Sequence, residues 1–335
     1  MLIDQCVNDF SFAEMQVHYS INNLPEFKNA VITVGTFDGV HIGHRQIIKQ
    51  LKEEAAAING ETVIITFHPH PRTVVVGTKT VELLNSLNEK IFLLKELGIN
   101  HLVVIPFNEA FSNQTPDEYI KHFLYDKFHP HTVIIGYDHK FGKNRAGDYH
   151  LLENYGKQLG FIVKEIPEKI INESIVSSTI IRKALLQHDI ANANKYLGYP
   201  YFFEGIVVDG NKLGRTLGYP TANIIIRDEM KLVPANGIYV AETEIANRES
   251  STDNVSSSRM QSMMSIGVRP TIDGHNRTIE VNIFNFEKDI YGKTLKVFIH
   301  KYLRNEVKFD SLDELKSQMA KDKIDSLNYF SSLEK

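Results

Sequence analysis

The apolar residues of this chain change rhythm once, and that change most restricts how it can fold. From residue 30 to 187, short apolar runs alternate with stretches whose apolar residues recur at three- and four-residue spacing. From Tyr201 onward there are short β-rich runs broken by Gly, Pro and Asn. The first texture predicts strands at Val31–Phe37, Thr62–Phe67, His101–Phe107, Thr132–Tyr137 and Phe161–Ile166. Between them it predicts helices over Gln46–Ile58, Glu89–Leu97, Asp117–Phe128 and Leu151–Leu159. This is the alternation of a doubly wound, Rossmann-like α/β domain, whose ligands lie beyond the carboxyl ends of the strands. The second texture predicts strands at Phe202–Val208, Thr221–Ile226, Gly237–Thr243, Met263–Ile266, Thr278–Asn285 and Thr294–His300, the spacing of a small six-stranded β-barrel. An amphipathic helix, Leu312–Ile324, follows Asp310 and Ser311, which suit a helix start. A chain of 335 residues is long for one core and comfortable for two. The expected division is a first domain over 1–187, a helical connector over 188–200 and a second domain over 201–335. The polar stretch Asn247–Gln261 reads as a mobile excursion between two strands.

Composition narrows the chemistry. The chain is 42% hydrophobic and 23% charged, and its apolar runs fall short of the ~20 residues a membrane helix needs. Met1–Phe10 carries no basic patch followed by an apolar segment, which makes the cytoplasm the expected compartment and a membrane partner unexpected. The single cysteine, Cys6, excludes an intramolecular disulfide and a cysteine zinc cluster. A formal net charge of −4 argues against non-specific nucleic-acid binding, which calls for a basic face. Any phosphate binding must therefore be local.

Gly35-Thr-Phe37-Asp38-Gly-Val-His41-Ile-Gly43-His44 ends a strand and opens a helix. Backbone N–H groups at a helix start are unpaired and carry the positive end of the dipole, so strand, glycine turn and helix together make an anion site. His41 and His44 add donors that can follow charge as it develops on a transferring phosphoryl group, and Gly43 lets a ligand approach the backbone between them. The pattern resembles the His-x-Gly-His signature of the nucleotidyltransferase superfamily. Its members, including those acting on phosphopantetheine or glycerol phosphate, transfer a nucleotide from a triphosphate and release pyrophosphate.

Three further segments sit at expected strand or helix ends: Thr66-Phe67-His68-Pro69-His70-Pro71, Gly136–Arg145, and Val176-Ser177-Ser178-Thr179-Ile180-Ile181-Arg182. Hydroxyls at a helix start can hold terminal phosphates, and Arg182 offers a planar fork to phosphate oxygens, although for the segment taken alone plain N-capping is the favoured reading of the hydroxyls. In the second half, Gly205–Ile224 carries a glycine-rich run with Gly210, Lys212 and Gly214. It is not a Walker A loop, because the lysine falls one place late and no Ser or Thr follows it. Pro220-Thr221-Ala222-Asn223 closely resembles the Pro-Thr-Ala-Asn motif of riboflavin kinases, and Ile279-Glu280-Val281-Asn282 the segment that supplies their base. Taken together, residues 15 to 325 resemble the bacterial bifunctional riboflavin kinase/FMN adenylyltransferase family.

The resemblance implies two ATP-dependent steps, riboflavin to FMN and FMN to FAD, with Mg²⁺ as the cofactor and riboflavin, FMN, FAD and ATP as the partners. It leaves room for a weak homo-oligomer. It implies that His41, His44 and Arg182 act on the phosphates of the second step, with Gly35, Phe37, Asp38, Gly43, Ser177, Ser178 and Thr179 binding ATP. Flavin contacts would come from His68, Pro69, Asp138, Asn144 and Arg145. Where many members carry Phe, this chain has His139. In the kinase half the resemblance assigns ATP to Gly205, Gly210, Lys212 and Gly214, the metal to Thr221 and Asn223, the proton-accepting role to Glu280 and flavin contacts to Arg269 and Arg304. A flavin-binding sensor or carrier is the non-enzymatic alternative, which degenerate motifs would have favoured.

Overall fold

The computed structural model describes residues 14–75, 81–137, 139–166, 176–210, 213–246, 259–271 and 274–333. The chain divides into two compact units, Met1–Val81 with Lys90–Ile175, and Glu82–Glu89 with Val176–Lys335.

The first unit is built on a six-stranded, wholly parallel sheet in the order β1-β4-β3-β2-β5-β6. Its strands are β1 (Gln16–His18), β2 (Val31–Val34), β3 (Thr62–His68), β4 (His101–Pro106), β5 (Thr132–Gly136) and β6 (Ile162–Ile166). All four residues of β2 are buried, as expected of a central parallel strand covered on both faces. Helices α1 (Ile42–Ala57), α2 (Leu87–Glu96), α3 (116–128) and α4 (Tyr149–Leu159) connect the strands. Strand order reverses at β2, whose neighbours are β3 and β5, so the crevice beyond the carboxyl ends of β2 and β5 is the topological switch point where such sheets bind ligands. The edge strand β1 was not foreseen, because three half-exposed residues carry little apolar pattern. Within α3, Tyr119–Tyr125 winds as a π-helix, and its Tyr119, Ile120, Phe123 and Leu124 are all buried.

The second unit contains a closed antiparallel barrel in the order β10-β11-β8-β7-β12-β9. Its strands are β7 (Tyr201–Val208), β8 (Ala222–Ile225), β9 (Gly237–Ala246), β10 (Met260–Thr271), β11 (Gly274–Ile283) and β12 (Thr294–Arg304). The alternating residues Tyr201, Phe203 and Val207 of β7 join Tyr239, Ala241, Leu295 and Val297 in its core. Met260 and Gln261, expected in the long loop, belong to β10, while 247–258 lies outside the described residues. Helices α5 (Ser178–Leu186) and α6 (Ile190–Leu197) bury Ile181, Leu185, Ile190, Ala193 and Leu197 in the same cluster. That shared burial is why the structure groups the chain from Val176 with the barrel, whereas the sequence pattern put the boundary at 187. The last helix, α7, runs Leu312–Leu333 and continues past the expected Ile324, with Asp322, Ser326 and Phe330 buried at four-residue spacing.

Candidate active sites

In the first unit, the turn that leaves β2 is bent back on itself. Phe37, Gly39 and Val40 have φ of 46°, 86° and 35°, a left-handed run that a β-branched residue such as Val40 rarely tolerates. Such a conformation persists only when its surroundings hold it. Here Lys90 Nζ donates to the Thr36 carbonyl at 2.6 Å, Thr66 Oγ1 donates to the same oxygen at 3.2 Å, and Arg45 Nε donates to the Val40 carbonyl at 3.3 Å. A Cβ on Gly35 would lie 3.0 Å from the Phe37 ring, which folds back beneath the turn and is itself buried.

The turn delivers the chain into α1, a 16-residue helix with no side-chain cap on its first amides and no acidic residue in its first turn. Those amides are therefore open to an anion. The His41 and His44 rings stack at 3.8 Å, and a Cβ on Gly43 would come within 3.2 Å of the His41 ring. Burial, with His41 and Lys90 alongside, holds His44 well below the usual histidine range, so its ring is neutral near pH 7. Its Nδ1 is buried without a hydrogen-bond partner, which favours the proton on Nε2 as the ring's donor. Asp38 is only 2% exposed.

Other predicted residues of this half are more scattered. His68 ends β3, and the His68–Pro69 peptide is cis. Asn144 and Arg145 lie on a short turn beyond β5, exposed, each with φ of 57°. Asp138 lies outside the described residues. Ser177 is the N-cap of α5, its side chain accepting from the Ile180 amide, so plain capping is one thing this hydroxyl does. Ser178 and Thr179 form the first turn of α5, and Arg182 Nε donates to the Glu82 carbonyl at 2.7 Å.

In the second unit, a cavity of about 350 Å³ brings together Thr221, Asn223, Glu280, Asn282, Met264 and Arg304. The barrel register explains the convergence: Glu280 on β11 stands opposite Asn223 on β8, and opposite Ser265 on its other side. Thr221 Oγ1 donates to Glu280 Oε2 at 3.2 Å, and Asn282 Nδ2 fastens the Pro220 carbonyl at 2.7 Å. The glycines have a local reason. A Cβ on Gly210 would collide with the Asn223 amide, and one on Gly214 with the Tyr219 carbonyl, so both let the loop pass close to the Pro220–Asn223 segment. Gly205 sits inside β7, where a Cβ would meet Ile224 of β8, so its missing side chain serves strand packing. Lys212 lies outside the described residues, as does the side chain of Arg269, whose backbone is in β10.

Arg304 borders the cavity and is held there by α7: Nε and Nη2 donate to Asp322 Oδ1 and Oδ2 at 2.9 and 2.6 Å, and Gln318 supports the same carboxylate. Such a bidentate pair fixes the guanidinium plane. Asp322 was missed by the sequence reading, as were Lys90 and the buried pair Lys231–Glu89, whose charged atoms are 2.6 Å apart. Lys231 also donates to the Leu84 and Phe202 carbonyls. One sequence signal existed for Asp322: it stands four residues from both Gln318 and Ser326 on one helix face.

A parallel domain with an anion-ready histidine turn, together with a barrel that gathers a carboxylate, a hydroxyl and an amide in one cavity, defines an ATP-dependent group-transfer enzyme with two sites. Comparison with known proteins makes this specific. Residues 24–180 match the FAD synthetase family model and residues 197–330 the riboflavin kinase model. The chain is 35% identical over 306 residues to the bifunctional riboflavin kinase/FMN adenylyltransferase of Haemophilus influenzae, covering 91% of this chain and 96% of that protein. The Bacillus subtilis protein of the same description is 34% identical, with 92% and 95% covered. A solved structure described as a macrolide-efflux protein from Streptococcus pneumoniae superposes with a TM-score of 0.81 at 29% identity, over 94% of this chain and 99% of that one. Among the described residues no helix is long and apolar enough to cross a membrane. The chain belongs to the bifunctional riboflavin kinase/FMN adenylyltransferase family.

Proposed function

We propose that the barrel unit phosphorylates riboflavin through Glu280, Thr221 and Asn223, and that the histidine turn serves the adenylylation of the resulting FMN. The family's overall chemistry is two-step flavin cofactor synthesis. Riboflavin and ATP give FMN and ADP, then FMN and ATP give FAD and pyrophosphate. The observation that carries the residue assignment is the convergence of Glu280, Thr221 and Asn223 on one cavity, with Thr221 hydrogen-bonded to Glu280.

In the first step Glu280 accepts the proton of the ribityl hydroxyl as that oxygen bonds to the γ-phosphorus and ADP departs. Thr221 and Asn223 offer neutral, hard oxygens. Among the described residues no three His, Cys, Asp or Glu side chains gather as a metal cage. This donor set fits Mg²⁺, which keeps waters and phosphate oxygens rather than an all-protein shell, and which would supply charge neutralisation on the phosphates. Arg304, held by Asp322, would face the flavin.

In the second step the open amides of α1 and the Nε2–H groups of His41 and His44 meet the ATP phosphates. The chemistry needs positioning and charge stabilisation, not a nucleophile from the protein. Ser177, Ser178, Thr179 and Arg182 are assigned to the pyrophosphate on their motif alone, and His68, Pro69, Asn144 and Arg145 to the flavin on the same ground.

The test is chromatographic separation of flavins after incubating the purified chain with ATP, Mg²⁺ and either riboflavin or FMN. FMN followed by FAD from riboflavin is the expected result. FAD from supplied FMN alone would remove the kinase assignment, and FMN alone would remove the adenylyltransferase assignment.

A further inference from the structure

The histidine turn poses an electrostatic problem that its motif does not solve. A triphosphate brought to the first turn of α1 would meet Asp38, an acid buried within the same turn. A carboxylate so placed repels the ligand unless a positive charge offsets it, and in a low-dielectric setting the repulsion is large. The offsetting charge comes from α2. Lys90 is 6% exposed, and its ammonium lies beneath the turn, 2.6 Å from the Thr36 carbonyl and 3.3 Å from Thr66 Oγ1. The charged or titratable groups that face it are Asp38 on the turn and His44 on α1, and β3 presents the Thr66 hydroxyl.

We propose that Lys90 is a positioning residue of the adenylyl-transfer site: it holds the strained Thr36–Val40 turn and offsets Asp38, so that the start of α1 accepts the triphosphate of ATP. The inference rests on the assignment of this turn to FMN adenylylation. Lys90 is buried and acts through the Thr36 carbonyl and through its charge. Burial lowers its pKa to about 8, with Asp38 opposing the shift, so in the ligand-free protein the ammonium loses its proton just above neutrality. Arriving phosphate charge favours the protonated form. The affinity for ATP in this step should therefore weaken as pH rises through that value.

The experiment measures KM for ATP and kcat for FAD formation from FMN between pH 7 and pH 9, in the full chain and in Lys90→Met and Lys90→Arg. For the native chain KM should rise severalfold over this range, with kcat moving less. Lys90→Met should show a raised KM already at pH 7 and a flat profile, and Lys90→Arg, which keeps the charge, should recover much of the pH 7 affinity. FMN formation from riboflavin, measured in the same preparations, should be unaffected and reports that the second unit is folded, while recovery of FAD formation in Lys90→Arg reports that the first tolerates substitution at this position. Normal KM with an unchanged profile in Lys90→Met overturns the proposal. If that variant loses both activities, the native profile decides, and a native KM that stays flat to pH 9 overturns it. Absence of FAD formation in the native chain would instead remove the assignment on which the inference stands.

Discussion

The hydroxyl of Thr221 donates to Glu280 Oε2 across 3.2 Å, joining residues 59 positions apart in the sequence. The bond keeps the carboxylate on the same side of the barrel wall as Asn223, its cross-strand partner. The proton acceptance proposed for Glu280 is therefore prearranged beside the oxygens assigned to the cation.

Replacing Glu280 with Gln keeps the shape and removes the basicity. General-base catalysis contributes about 10²–10⁴-fold, so FMN formation from riboflavin should fall by that order while FAD formation from supplied FMN persists. The paired rates on one preparation check this, and equal loss of both would refute separate sites.

His44→Ala removes one of the donors proposed to meet the phosphates at the histidine turn. A preorganised donor of this kind is worth ~3–4 kcal/mol at the transition state, so FAD formation should drop by a few hundredfold with the kinase step intact. A near-normal adenylylation rate in steady-state assays would exclude the role.

Lys231→Met strands Glu89 as a buried, unpaired carboxylate, since both side chains are 1% exposed. Breaking such a pair costs roughly 3–5 kcal/mol, and adding Glu89→Gln should return a good part of it. Urea denaturation of the two variants, followed through kinase activity, reads the difference.

Lys90 carries a stability cost with a definite pH window. Its pKa is lowered from 10.5 to about 8 by burial, so between these values the unfolded chain binds more protons than the folded one, and folding stability contributed by this group rises with pH. Below the folded value the cost is present in full, of order 3 kcal/mol from the size of the shift. Lys90→Met sheds this cost but also loses two hydrogen bonds and leaves the buried Asp38 without this cation, so the expected signature is the pH dependence of its stability relative to the native chain. Relative to the native chain, the variant should lose stability as pH rises from 7 to 10. Chemical denaturation at pH 7 and pH 10 tests it, and a stability difference that stays constant or moves the other way would contradict the sign.

Most of the architecture was legible because periodicity reports burial directly: the buried β2 and the alternating β7 both declare themselves as strands. The histidine turn and the Pro220–Asn223 segment stood out as candidates because their residue types are unusual in that order. Lys90 was not, because a lysine in an amphipathic helix reads as a solvated face. Its partners, Thr36 and Thr66, stand 54 and 24 residues away. Asp322 was hidden for the same reason, since it is paired by Arg304 arriving from the end of β12. The wide winding of Tyr119–Tyr125 left no trace in the spacing, as π and α turns differ by less than one residue per turn.

The pairing of Glu280 with Asn223 has a hereditary consequence. Because strand side chains alternate, a one-residue slip of β8 against β11 would turn one of the two away from the cavity. Substitutions along these strands can accumulate one at a time, but insertions and deletions cannot. These two strands can therefore drift in composition while their mutual spacing stays fixed, and a descendant that lost register there would part Glu280 from Asn223 in a single event.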